Sequence, residues 1–285
     1  MNYSIIKVVS LTFIALAAFA ANSVICRLAL GAQAIDAASF TIIRLLSGAC
    51  VLLLLAHAGK THKKLIYKGS WLGGMTLFIY ACTFSYAYIT LDTATGALIL
   101  FAAVQLSIMF ISSFQGEKFS RYEWLGITVS FLGFSYLVWP LVSQPSFSGA
   151  ILMIISGAAW GVYTLIGRGS KQPLTDTCYN FLRSLPFVLI LFLFTYSQFE
   201  WSSTGVLLAI LSGAITSGVG YAIWYLVLPS LAATQAAVLQ LTVPIIAAIG
   251  GVIFVSEAMT LRLMLSSCLV LGGIAIVIFS KSAKS

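Results

Sequence analysis

Charge is what this 285-residue chain has least of. Asp, Glu, Lys and Arg together make up 8% of it, against about 25% in an ordinary soluble domain, and so few ionised groups do not keep a globule of this size in water. The seven carboxylates are Asp36, Asp92, Glu117, Glu123, Asp176, Glu200 and Glu257. None falls in the middle of an apolar run, so the buried acid that a proton relay across a membrane uses is missing. The two histidines, His57 and His62, share one basic segment with no Cys or carboxylate at ligand spacing, which argues against a metal centre. The five cysteines, at 26, 50, 82, 178 and 268, are scattered singly without a CxxC pair and read as small apolar fillers. There is no phosphate-binding glycine loop and no polar stretch long enough for an ATPase domain, so nucleotide hydrolysis by this chain alone is excluded and no cofactor is expected.

Apolar sequence is abundant. Hydrophobic residues reach 60% and mean hydropathy is +1.05, which predicts an all-α integral membrane protein. Stretches long enough to cross a hydrocarbon core of about 30 Å recur ten times, at about 8 to 29, 37 to 56, 70 to 89, 94 to 114, 123 to 139, 149 to 168, 175 to 196, 204 to 227, 232 to 254 and 262 to 280. Lys7, the run after it and Ala18-Phe19-Ala20 also fit a cleavable signal peptide. The run continues past the small residues, and the segment has a repeat partner in the sixth stretch, so it reads as a retained helix. With the amino terminus inside, eleven of the fifteen Lys and Arg fall on the cytoplasmic side: Lys7, Lys60, Lys63, Lys64, Lys68, Lys118, Arg121, Arg168, Lys171, Lys281 and Lys284. The positive-inside rule then predicts both termini in the cytoplasm, for a bacterial inner-membrane protein. The net charge of +8 reports topology and contact with anionic lipid headgroups, since no basic stripe interleaved with aromatics points to nucleic acid.

The chain also says nearly the same thing twice. Glu117 precedes Gly133 by sixteen residues, as Glu257 precedes Gly273. Phe19-Ala20 with Arg27 corresponds to Trp160-Gly161 with Arg168 at a displacement of 141, while Arg44 and Arg183, like Tyr86 and Tyr225, are 139 apart. Shared displacements predict a duplicated unit, residues 1–140 and 141–285, with five spans each. An odd number of spans sends the second copy into the membrane from the opposite side, so the expected fold is two inverted five-helix repeats facing each other across a pseudo-twofold axis. Glu117 then sits at the cytoplasmic face and Glu257 at the outer face.

The residues reach a known family in Ala159-Trp160-Gly161, in Arg44 and Arg183, in Gly220-Tyr221-Ala222-Ile223-Trp224-Tyr225, and in the run from Ala236 through Gln240, Pro244 and Glu257 to Gly272-Gly273. On these residues the chain resembles the EamA-type permeases of the drug/metabolite transporter superfamily over nearly its whole length. It departs at Val104, where the pattern often has the counterpart of Pro244, and at Phe19-Ala20 in place of Trp-Gly. The resemblance implies a permease, commonly an exporter, with a cavity lined mainly by spans one, three, four, six, eight and nine. Spans five and ten are then peripheral, facing lipid or a second copy in a homodimer. In span one Asn22 stands where a proton-coupled small multidrug exporter would carry a glutamate, which favours facilitated transport or exchange.

Polar and aromatic side chains inside apolar runs are costly unless they face protein or cavity water. They are Asn22, Tyr80, Gln105, Trp160, Tyr163, Tyr221, Trp224 and Gln240, a set that suits an amphipathic small molecule; each also fits interhelical bonding. Arg44 and Arg183 lie about 10 to 13 Å inside their spans at 1.5 Å per residue and need partners, either structural groups or a substrate carboxylate. Glu117 and Glu257 read either as anions on the dipole of the helix that follows or as gate latches pairing with cations in alternate states. Ser120-x-x-Glu123 has capping-box spacing. Pro244 is expected to kink or unwind span nine near Gln240. Gly157-x-x-x-Gly161, Gly213-x-x-x-Ser217 and Ala247-x-x-x-Gly251 have the spacing of close helix contacts. The expected function is movement of amino acids or related amphipathic metabolites by alternating access, with a multidrug exporter of aromatic or cationic compounds as the alternative. An intramembrane enzyme would need a buried base, nucleophile or metal that these residues do not supply. A scaffold would fill its core with aliphatic groups.

Overall fold

The computed structural model describes residues 5–58, 69–114, 120–139, 146–167, 170, 172–227, 230–231 and 239–282. They form α1 (Ile5–Gly31), α2 (Ala37–Ala58), α3 (Trp71–Ala87), α4 (Thr93–Phe114), α5 (Arg121–Val138), α6 (Ser146–Gly167) and α7 (Pro173–Thr195). Next, α8 (Ser203–Ile210) runs unbroken through a π-helical stretch (Leu211–Val219) into α9 (Gly220–Val227), and α10 (Thr242–Val255) and α11 (Leu261–Ser282) follow.

Seven segments among the described residues are long and apolar enough to cross a membrane: α1, α2, α4, α6, α7, the continuous α8 to α9 rod, and α11. α10, with 14 residues, is a shorter apolar helix. The other expected spans fall short for visible reasons. α3 has 17 residues, about 25 Å at 1.5 Å per residue, and α5 opens on Arg121 and Glu123, which dilute its apolar run. α10 begins at Thr242, well inside the expected span, and residues 232–238 lie outside the described set.

Polar side chains set the starts of the helices. Ser70 Oγ accepts from Gly73 N at 2.8 Å to open α3, Asp36 Oδ1 accepts from Ser39 N at 2.8 Å on α2, and Ser202 Oγ accepts from Gly205 N at 3.1 Å on α8. The Ser120 and Glu123 capping box on α5 is formed as its spacing predicts. Pro244 is the third residue of α10, in the first turn, where no intrahelical N–H bond is required. The interruption expected near Gln240 is the turn at Leu241, which precedes Pro244 by three residues.

Small residues bring the helices together. A methyl group on Gly157 would come within 2.6 Å of Ala103 Cβ and of the Leu100 carbonyl, so α6 and α4 are in backbone contact. Gly213, in the π stretch, lies directly on the Arg44 carbonyl of α2, and Gly74 of α3 lies against the backbone of Arg183 in α7. α5 pairs with α11 inside the same chain: a methyl on Gly126 would meet the Gly273 carbonyl at 2.5 Å, and Ser130 Oγ donates to the Val270 carbonyl at 3.1 Å. The small-residue faces of these two helices are thus used within the chain, and the homodimer expected through them gains no support. Their opposite faces expose Leu125, Phe131, Leu132, Met264, Leu265 and Phe279, as suits contact with lipid.

Candidate functional site

Asn22 is the polar centre of the bundle. Its Oδ1 accepts from Ser212 Oγ at 2.7 Å and from Thr216 Oγ1 at 3.0 Å, tying α1 to the π-helical stretch. Such stretches often mark functional positions because the wider turn re-aims side chains, and here it presents Ser212, Thr216 and Ser217 to the interior. Asn22 and Thr216 line a cavity of about 20 Å³ with Phe19, Ser23, Tyr80, Phe84, Leu100, Phe101, Trp160 and Tyr221. That volume holds about one water.

Trp160 forms one wall. Its ring centroid is 4.8 Å from that of Tyr80, 4.9 Å from that of Tyr221, and 5.3 Å from that of Tyr163, on which it stacks. Phe19 meets Tyr221 and Trp224 edge-on at 5.7 and 5.9 Å. These geometries join α1, α3, α6 and α9 through rigid aromatic contacts.

Arg44 sits directly behind this wall and is 1% exposed. Its Nη2 donates to the Tyr80 hydroxyl at 3.1 Å and its Nε to Ser217 Oγ at 3.3 Å. The guanidinium carbon lies 5.2 Å and 5.1 Å from the ring centroids of Tyr80 and Phe84. Among the described residues no carboxylate pairs with it, and its Nη1 has no hydrogen-bond partner. A guanidinium taken out of water without an anion carries an uncompensated desolvation cost.

Of the residues singled out from the sequence, Asn22, Tyr80, Trp160 and Tyr221 line the cavity; Arg44, Tyr163 and Trp224 pack just behind it. Gln105 is buried on α4, outside the lining, and Gln240 is half-buried just before α10. Arg183 lies elsewhere: its guanidinium is 5.8 Å from the Trp71 ring centroid and 5.9 Å from that of Tyr179. Glu117 lies outside the described residues.

Glu257 takes a place the sequence does not show. The left-handed Ser256, φ 58°, ends α10 and turns the chain, and the Glu257 carboxylate then sits on α4 rather than on the helix that follows it. Thr93 N donates to both of its oxygens at 2.9 Å, and Thr93 Oγ1 donates at 3.1 Å. Arg27 Nε of α1 is 3.3 Å away, and Arg27 Nη1 also donates to the carbonyls of Tyr88 and Ile89 at 3.2 Å each. One ion pair thus fastens α1, the end of α3, the start of α4 and the α10 to α11 turn.

Sequence reasoning missed Phe19, Ser212, Thr216, Ser217 and Phe84 as site residues, and Arg27 as the partner of Glu257. A usable signal for Ser212, Thr216 and Ser217 was the run rich in small and hydroxyl residues from Ser212 to Gly218 inside an apolar span.

This arrangement has relatives. The EamA-like transporter family matches residues 147–279. An uncharacterized protein of Pseudomonas aeruginosa is 45% identical over 268 residues, covering 94% of this chain and 93% of its own. An uncharacterized transporter of Archaeoglobus fulgidus is 27% identical over 219 residues, covering 73% of this chain and 75% of its own. A solved crystal structure superposes with a TM-score of 0.65 at 16% identity, over 96% of this chain and 98% of that one, a likeness of fold. The chain belongs to the EamA-like transporter family, within the drug/metabolite transporter superfamily. It is a transporter rather than an enzyme, an integral membrane protein of a family that moves small molecules.

Proposed function

We propose that the chain is an inner-membrane permease for small amphipathic metabolites that carry a carboxylate, amino acids and related compounds included, working by alternating access around the Asn22 cavity. The observation that carries this reading is Arg44, a buried cation with no carboxylate partner among the described residues, set against an aromatic wall at the centre of the bundle. In a region of effective dielectric about 20, an anion about 6 Å from such a charge gains about 3 kcal/mol.

The architecture in this reading is ten spans in two inverted repeats, residues 1–140 and 141–285. Two kinds of contact support it. Gly74 packs on Arg183 as Gly213 packs on Arg44, and the two pairs are related by a displacement of 139. Ser130 meets Val270, its own counterpart at a displacement of 140, as a pair on a pseudo-twofold axis would. With both termini cytoplasmic, the Arg27 and Glu257 pair closes the outer end, and release on that side makes the protein an exporter. Glu257 is then one latch; its repeat counterpart Glu117 is the expected other.

The test is thermal stabilisation of the purified protein against amino acids, aromatic cations and carboxylates, followed by uptake of the best ligand in proteoliposomes. Ligand at about 100 times its Kd adds roughly 2.7 kcal/mol to the native state. Stabilisation by carboxylate-bearing compounds and saturable transport support the permease of amphipathic acids. A response confined to aromatic cations instead selects the multidrug alternative.

A further inference from the structure

We propose that this site rejects a positive charge on its cargo, so that the molecule carried is an organic monocarboxylate with an apolar or aromatic body, lacking the ammonium of an amino acid. The inference rests on the reading of the Asn22 cavity as the transport site and narrows its substrate class.

Three features of the cavity combine. The first is an excess of positive charge. Arg44 is 1% exposed, no described carboxylate pairs with it, and Nη1 is enclosed without a hydrogen-bond partner. The second is a poverty of acceptors for a cation. The lining contains no carboxylate among the described residues, and the amide oxygen it offers, Asn22 Oδ1, accepts from Ser212 Oγ and shares the Thr216 proton with the Ser212 carbonyl. An arriving ammonium would meet hydroxyl oxygens, which hydrogen-bond without neutralising charge. The third is that two of the lining rings already face a cation. Arg44 lies near the rings of Tyr80 and Phe84, so a second cation there faces like-charge repulsion in a desolvated place.

A carboxylate meets the opposite conditions. The Tyr80 hydroxyl accepts from Arg44 Nη2 at 3.1 Å and keeps one proton to donate. Arg44 Nη1, buried without a hydrogen-bond partner, is the donor assigned to the carboxylate. Trp160, Tyr221 and Phe19 supply the apolar walls for the body of the molecule.

The experiment uses the full-length protein and four ligands of one shape: 3-phenylpropanoate, phenylalanine, 3-phenylpropanamide and 3-phenylpropylamine. Each is measured by thermal stabilisation in detergent and by competition for uptake in proteoliposomes. The expected result is that 3-phenylpropanoate binds more tightly than phenylalanine and the amide by roughly tenfold or more, with the amine weakest. Asn22→Asp, an isosteric change, places a carboxylate in the wall and is expected to shrink the preference of 3-phenylpropanoate over phenylalanine by roughly tenfold. Arg44→Lys keeps the charge without the fork and should retain the order of ligands at lower affinity. Phenylalanine binding as tightly as 3-phenylpropanoate in the wild type overturns this inference and leaves the permease standing, and so does an unchanged preference in folded Asn22→Asp. Silence toward all four ligands in both assays overturns the reading of the cavity itself, and this inference with it.

Discussion

Glu257 holds the first residue of α4 and Arg27 of α1 at once: its carboxylate accepts from Thr93 N at 2.9 Å and lies 3.3 Å from Arg27 Nε. The two side chains are 12% and 20% exposed, so the pair is partly desolvated, and it is backed by four further hydrogen bonds from Thr93 and Arg27. Glu257→Gln keeps an acceptor for Thr93 but removes the charge that meets Arg27. We expect a loss of about 1 to 3 kcal/mol, read as a fall in apparent melting temperature. A double-mutant cycle with Arg27→Gln should show coupling of about 1 kcal/mol or more. Additive effects of the two changes would mean that the pair is incidental.

Gly251 keeps the space that this carboxylate needs. A methyl group there would stand 2.5 Å from Glu257 Oε2 and 3.0 Å from Thr93 Cβ. Gly251→Ala should therefore lower the melting temperature much as Glu257→Gln does, and do little more when added to it. Gly272 of α11 has nothing within 4 Å of the same position, so Gly272→Ala gains helix propensity of about 1 kcal/mol against no clash. Equal behaviour of the two alanine variants in a thermal ramp would contradict the latch geometry.

Asn22 Oδ1 accepts from two buried hydroxyls; its removal takes that acceptor from Ser212 Oγ, while Thr216 Oγ1 keeps the Ser212 carbonyl at 2.8 Å. Asn22→Leu should cost about 1 to 3 kcal/mol, as for one unsatisfied buried group, and should end transport. Thr216→Val removes one of the bonds and nearly preserves shape, so its cost should be about 1 kcal/mol. Melting temperatures measured side by side check the order; a cost for Thr216→Val as large as for Asn22→Leu would show that the network does not centre on Asn22.

The lining of the candidate cavity was legible in the sequence in part, for a physical reason. Asn22, Tyr80, Trp160 and Tyr221 are polar or amphipathic groups in apolar runs, and the cost of leaving them in hydrocarbon points them inward. The same argument cannot rank Gln105 or Arg183, because a membrane helix is apolar toward both lipid and protein, and composition then says little about which angle of the helix faces the cavity. Arg183 instead settles near Trp71 and Tyr179. Glu257 was visible as an anion at a helix end, but the helix it caps and the cation it meets are fixed by tertiary packing. The capping box at Ser120 and Glu123 was fully legible, since both partners lie within one turn.

The pairing of α5 with α11 inside one chain gives a direct test of the assembly. Ser120 Oγ and Ser280 Oγ are 3.0 Å apart, close enough for cysteines at these positions to reach each other after a small adjustment. The native exposed cysteines, Cys50 and Cys268, must first be replaced by serine so that they do not compete. In that background, mild oxidation of Ser120→Cys with Ser280→Cys should give a disulfide within one chain, seen as a reducible shift without a band at twice the mass. The single variants should stay uncrosslinked. A band at twice the mass from the double variant would place α5 of one copy against α11 of another, and the two helices would then form an interface between copies instead of a closed pair within the chain.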